Sequence, residues 1–137
     1  MSSSFRIFDI AGSALAAQSV RLNTVASNLA NADAVASDPN DVYKAHVPVF
    51  QTAPGLTGDS QTPGVRVTGI EESQAPAQKR YEPGHPLADA NGYVYSSNVN
   101  VVEQMVDMIS ASRSYQSNIE IMNTAKDLAL RTLNLGK

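Results

Sequence analysis

The 137-residue sequence contains no cysteine and no tryptophan. Without cysteine there can be no disulfide and no thiolate zinc site. Aromatic side chains are few, three Phe and five Tyr. No run of Lys or Arg occurs, and the formal net charge is −3. An acidic chain without a basic patch is poorly suited to nucleic acid or anionic lipid. Long apolar runs are missing as well. The opening MSSSFRIFDIAGSALAAQ lacks the basic n-region and unbroken apolar stretch of a secretory signal. Nothing is long and apolar enough to span a bilayer, so no direct membrane insertion is expected. Proline is absent from residues 1–38 and 87–137, all seven lying between Pro39 and Pro86.

Catalytic and metal-binding signatures are equally scarce. No P-loop, GxGxxG, GxSxG or HExxH is present. His46 and His85 are the two histidines, and neither has Cys, Asp or Glu around it at metal-ligand spacing. Asp38, Asp41 and the DADANG-like stretch around Asp89 lack the spaced oxygens and distal Glu of an EF-hand. Glu71 and Glu72 are adjacent and would point to opposite faces of a strand. A small hydrolase using them or His46 would lack a converging acid, base and nucleophile. No enzyme, cofactor or metal is expected.

What is present is a pair of proline-free ends around a turn-rich acidic centre. In the first end, steps of three and four connect Phe8, Ala11, Leu15, Gln18, Leu22, Val25, Leu29 and Ala32, mostly apolar. This is the a/d pattern of a coiled coil. Ser2, Ser3 or Ser4 can cap the start, and Asn31 can stop the helix. Yet RLNTVASNLAN (21–31) is built from poor helix formers. Off the seam lie small residues such as Ala14, Ala16, Ala17 and Ser27 instead of the usual Glu and Lys. A helix so composed depends on neighbours for its burial.

The second end repeats the pattern through Val101, Met105, Met108, Ser112, Tyr115, Ile119, Met122, Lys126, Ala129 and Leu133. Asn100 is an N-cap with Glu103 three residues on. Glu103 and Asp107 near the start, and Lys126 and Arg131 near the end, suit the helix dipole. Gly136 is a natural stop. The methionines on this seam read as core packing. Asn28 and Arg113 sit beside the seams as further interface candidates.

Between the ends, VYKAHVPVFQ (42–51) and GVRVTGIEE (64–72) read as strands. QKRYE (78–82) is expected to pair with the second of them across SQAPA. PGHP around His85 reads as a rigid turn, and Asn91-Gly92 marks a tight one. TAPGLTGDSQTPG (52–64) reads as a mobile loop. The expected fold is mainly α with a small β part. Residues 1–32 and 97–137 form two long helices packed as a coiled coil, and residues 33–96 a short-stranded β and loop centre.

These residues carry a family resemblance. SALAAQSVRLNTVASNLANADA (13–34) resembles the N-terminal signature of the bacterial flagellar rod and hook proteins. SSNVNVVEQMVDMISASRSYQSNIEIMNTAKDLALRTLNLGK (96–137) is similar to their C-terminal segment. PGHPLADANGY (83–93), together with the short chain, resembles the proximal-rod members. The resemblance implies a structural subunit, exported unfolded or partly folded by the flagellar type III apparatus and assembled in the periplasm. It implies terminal helices that are disordered before assembly and line an axial channel afterwards. Implied partners are further copies, other proximal rod proteins, the distal rod protein and the junction protein FliE. The competing reading from the residues alone is a stand-alone cytoplasmic coiled-coil adaptor. Such an adaptor should carry charged e and g positions, which the first helix lacks.

Overall fold

Helix α1 runs from Ser2 to Ala30 and helix α2 from Val101 to Leu135. The computed structural model describes residues 2–54 and 63–137, and the side chains from Phe5 onward. At 1.5 Å per residue the helices are about 43 Å and 52 Å long. They lie against each other in opposite directions. Arg21 pairs with Asp107 and Asn28 meets Gln104 at one end, while Ile7 shares a groove with Ile121, Thr124 and Ala125 at the other. Both chain ends therefore sit at the same end of the pair.

The helix boundaries follow local chemistry. Asn100 caps α2, its Oδ1 accepting from the Glu103 amide at 3.2 Å. Gly136 ends it, donating its amide to the Thr132 carbonyl at 3.3 Å. Because α2 continues to Leu135, Lys126 and Arg131 fall before its last turn, which holds no basic residue. Asn31 closes α1 without entering the left-handed region, its side chain donating to the Ser27 carbonyl at 2.8 Å. The helix starts at Ser2, so Ser3 and Ser4 lie within its first turn.

The inward face of α2 differs from the expected seam. Met108, Tyr115, Met122 and Ala129 do face inward to a degree, but Ala111 and Ala125 are the buried positions. Ile119 and Leu133 are exposed, as is Met105 at 52%. Met105 is thus surface in this chain and not core. On α1 the buried positions are Ala11, Ala17, Thr24, Val25 and Asn28. The two helices meet through small side chains, which bring their backbones close. Phe8, Leu15, Leu22, Leu29, Met108, Tyr115 and Met122 are half-buried along the pair, while Ile109, Leu128, Leu130 and Leu133 are exposed.

The centre forms two separate antiparallel sheets. Strands β2 (His46–Ala53) and β3 (Gly64–Glu72) pair as a hairpin, from His46 opposite Glu72 to Ala53 opposite Gly64. Residues 52, 53 and 64 of the expected loop are thus strand, and residues 55–62 lie outside the described residues. A bulge leaves Thr68 unpaired, its hydroxyl bonded to the Val49 carbonyl at 3.3 Å. The second sheet has the order β1-β5-β4, with β1 (Val35–Ala36), β4 (Gln78–Tyr81) and β5 (Tyr93–Ser96). QKRY therefore pairs with YVYS and not with β3. The connection from β3 to β4 is instead held by Asn98, in the link between β5 and α2, whose side-chain amide donates to the carbonyls of Ser73 and Ala75.

The turn joining β4 to β5 explains that pairing. Asp89 Oδ1 accepts from the amides of Asn91 and Tyr93, both at 2.9 Å, and its own amide donates to Tyr93 O at 2.8 Å. The Gly92 amide donates to the Asp89 carbonyl at 3.0 Å. Asn91 keeps a negative φ and Gly92 takes φ +83°. The Asn-Gly pair thus closes a type I turn followed by a left-handed glycine, in place of a two-residue hairpin. Around His85 the expected turn is present, with the Leu87 amide donating to His85 Nδ1 at 3.0 Å.

Candidate assembly interface and its internal latch

The buried apolar residues among those described are all Ala or Val: Ala11, Ala17, Val25, Val42, Ala45, Val94, Val99, Ala111 and Ala125. Larger apolar side chains are half-buried or exposed. Along α2 the exposed ones include Val101, Val102, Met105, Val106 and Ile109 near the start, then Ile119 and Ile121, then Leu128, Leu130, Leu133 and Leu135. Phe5, Ile7 and Ile10 extend this surface onto α1. Val102 is 72% exposed and Leu135 88%. Exposed large apolar side chains thus occur on both helices, and such side chains mark interaction sites where they lie together.

The sequence-derived interface residues divide into two sets. Val101, Met105, Ile119, Leu133 and Arg113 are on the surface, available to a neighbour. Phe8, Leu15, Gln18, Leu22, Leu29, Met108, Ser112, Tyr115 and Met122 are half-buried. Ala11, Val25 and Asn28 are buried within the chain, so their contacts are internal.

Asn28 is the centre of a polar cluster that joins three elements. It is 1% exposed. Its Nδ2 donates to the His46 carbonyl at 2.8 Å and to Gln104 Oε1 at 3.0 Å. Its Oδ1 accepts from the His46 amide at 2.8 Å and from the Tyr43 hydroxyl at 2.9 Å. All four hydrogen-bonding capacities of the amide are filled. Thus α1, the start of β2 and the first turns of α2 are fixed to one side chain. Arg21 and Asp107 form an ion pair one turn further along α2.

Two more links reinforce the same region. Asn98 Oδ1 accepts from the Ala45 amide at 2.7 Å. The Ser97 amide donates to the Ala34 carbonyl at 3.1 Å, extending the β1 to β5 pairing. The Tyr43 and His46 rings stand 5.1 Å apart, and His46 Nε2 is 3.9 Å from Glu72. Tyr43, His46, Asn98 and Gln104 drew no interface role from the sequence, because the partners they select are distant along the chain. The weak helix formers at Asn23 and Asn28 were the available signal.

Comparison with known proteins places this architecture. Residues 8–36 match the family of flagella basal body rod proteins, and residues 90–135 match the C-terminal region of flagellar basal body rod FlgEFG proteins. The two matched segments carry α1 and α2, so the class is that of flagellar rod proteins. Relatives named flagellar basal-body rod protein FlgC are similar along nearly the whole chain. Those of Salmonella typhimurium and Escherichia coli O157:H7 are 59% and 57% identical over 133 residues, 96% of each chain. That of Yersinia enterocolitica is 55% identical over the same span. The chain belongs to the FlgC family of flagellar basal-body rod proteins. These relatives are rod proteins by name, which agrees with the reading that the chain is not an enzyme.

Proposed function

We propose that the chain is a structural subunit of the proximal rod of the bacterial flagellar basal body. It leaves the cytoplasm through the flagellar type III apparatus and joins a hollow axial tube in the periplasm. Residues 1–32 and 97–137 form the inner domain, where helices of neighbouring subunits wind together as a coiled coil. Residues 33–96 lie outside that tube and set contacts between neighbours. Its partners are further copies, other proximal rod proteins, the distal rod protein and the junction protein FliE.

One observation carries this reading: the fully buried apolar residues of the helix pair are Ala11, Ala17, Val25, Ala111 and Ala125, while Val102, Met105, Val106, Ile109, Ile121, Leu128, Leu130, Leu133 and Leu135 of α2 stay exposed. Each such side chain is worth about 1.5–3 kcal/mol once removed from water. Only neighbouring molecules can supply that burial for the α2 surface. A strain lacking its own copy and complemented with Val102→Asp plus Ile109→Asp tests the reading. Secreted subunit with no completed rod is expected. Normal rods and swimming with both charges in place would refute it.

A further inference from the structure

We propose that Asn91 is a site of spontaneous covalent modification, conversion to an aspartyl or isoaspartyl residue, and that the folded Asp89 turn holds the reaction back. The proposal concerns the chemistry of the chain itself and does not depend on its place in a rod.

Of the asparagines in the sequence, Asn91 alone is followed by glycine, and it is exposed. The reaction begins when the Gly92 main-chain nitrogen, having lost its proton, attacks the Asn91 Cγ. A bond from that nitrogen to Cγ forms, the Cγ–Nδ2 bond breaks, and ammonia leaves. Water then opens the cyclic imide at one carbonyl or the other. The net change is amide plus water to carboxylic acid plus ammonia. Glycine favours the attack because it has no Cβ to stand in its path. The fold demands the same glycine. Gly92 has φ +83°, and a Cβ there would stand 2.9 Å from Tyr81 Cε2 and 3.1 Å from Pro83 Cβ. A bulkier residue at 92, which would slow the attack, is thus excluded by the turn.

The folded turn obstructs the attack in two ways. The Gly92 amide donates to the Asp89 carbonyl at 3.0 Å, so the proton that must leave is held. The Asn91 and Tyr93 amides both donate to Asp89 Oδ1 at 2.9 Å, which fixes the main chain on either side of the reacting bond. Ring closure needs the Gly92 nitrogen nearly in plane with the Asn91 Cβ. The second central residue of a type I turn keeps ψ near 0°, which turns that nitrogen away from the side chain. Conversion therefore proceeds from the opened turn, at a rate scaled by how often it opens. An isoaspartyl product carries the main chain through Cβ and adds an atom to the loop that Asp89 closes. The amides of Gly92 and Tyr93 then cannot both return to Asp89. The Glu82 amide loses its place on the Gly92 carbonyl, at 2.9 Å in the intact turn. Chains that stay unfolded thus lose the turn between β4 and β5 irreversibly.

Incubation of the full chain in mildly alkaline buffer, native or unfolded in urea, tests the proposal, with fragment-ion mass spectrometry locating the converted residue. In urea Asn91 is expected to convert ahead of every other asparagine, and at least about tenfold faster than in the native chain. Equal rates in the two states, or another asparagine converting first, overturns the proposal. Asp89→Ala removes the acceptor and should bring the native rate to within about threefold of the unfolded one. Asp89→Asn keeps an acceptor oxygen and should stay slow. Both variants fast, or both slow, would rule out the Asp89 oxygen as the restraint.

Discussion

The side chain of Asn28 pairs with the backbone of His46 much as a neighbouring strand would, accepting from its amide and donating to its carbonyl, both at 2.8 Å. A helix residue thus supplies the first rung of the β2 edge. Asn28→Ala leaves the buried amide and carbonyl of His46, and the Gln104 side chain, short of partners. Each orphaned group costs roughly 1–3 kcal/mol, and a fall of that order or more in urea-derived stability is expected. Asn28→Asp keeps the acceptor and loses both donors, so it should also destabilise. A stability within error of wild type for both would contradict the hub role.

The Arg21–Asp107 pair is part-exposed, at 21% and 37% of the side chains. A double-mutant cycle with Arg21→Gln and Asp107→Asn should give a coupling of about 0.5–1 kcal/mol that shrinks as salt is added. The pair orients the helices more than it stabilises them, so no single change there should prevent folding.

Gly92 combines φ +83° with a neighbour only 2.9 Å from where a Cβ would stand, the Tyr81 Cε2 atom. Gly92→Ala is expected to cost about 1–2 kcal/mol from backbone strain, with the ring contact adding to it. Gly69 has open space and an ordinary backbone. Gly69→Ala serves as the comparison and should shift the melting temperature little.

Asp89 has its acidity strengthened chiefly by the hydrogen bond from the Tyr93 amide, with burial opposing this and the Asn91 amide, the Tyr95 hydroxyl and the Lys79 charge assisting. The folded turn therefore favours the carboxylate form. Its contribution is complete above the ordinary Asp value of 3.8 and is lost as pH falls through the lower value of the folded state. Amide shifts of Asn91 and Tyr93 should move together in that acidic window. Asp89→Asn should remove the step, and a step unchanged by that substitution would assign it to another carboxylate.

Much of the architecture was legible in the sequence. The helical spacing, the Asn100 cap, the Asn31 stop and the turn around His85 all depend on residues close along the chain, and local chemistry decides them. Two features were not legible for the same physical reason. The pairing of QKRY with YVYS spans the 82–92 connection and is chosen by the Asp89 turn, while Asn98, far along the chain, holds the 73–75 segment that follows β3. The inward face of α2 was read from its large apolar residues. The chain instead packs Ala111 and Ala125 inward, because small side chains let two helices approach, and a pattern of apolar residues does not distinguish a face meant for the same chain from one meant for another. Asn28 was singled out as an interface residue, yet its four bonds are spent at home.

The antiparallel arrangement of α1 and α2 has a practical result for labelling. A fluorescent domain or affinity tag joined to either terminus emerges beside the exposed leucines and competes for the same space as any incoming molecule. The reverse turn at Gly84 stands within the β region, where an added side chain would meet nothing within 4 Å. A short epitope inserted there should leave the leucine-rich tip free, so that any assembly defect it caused would point to contacts of the β region instead.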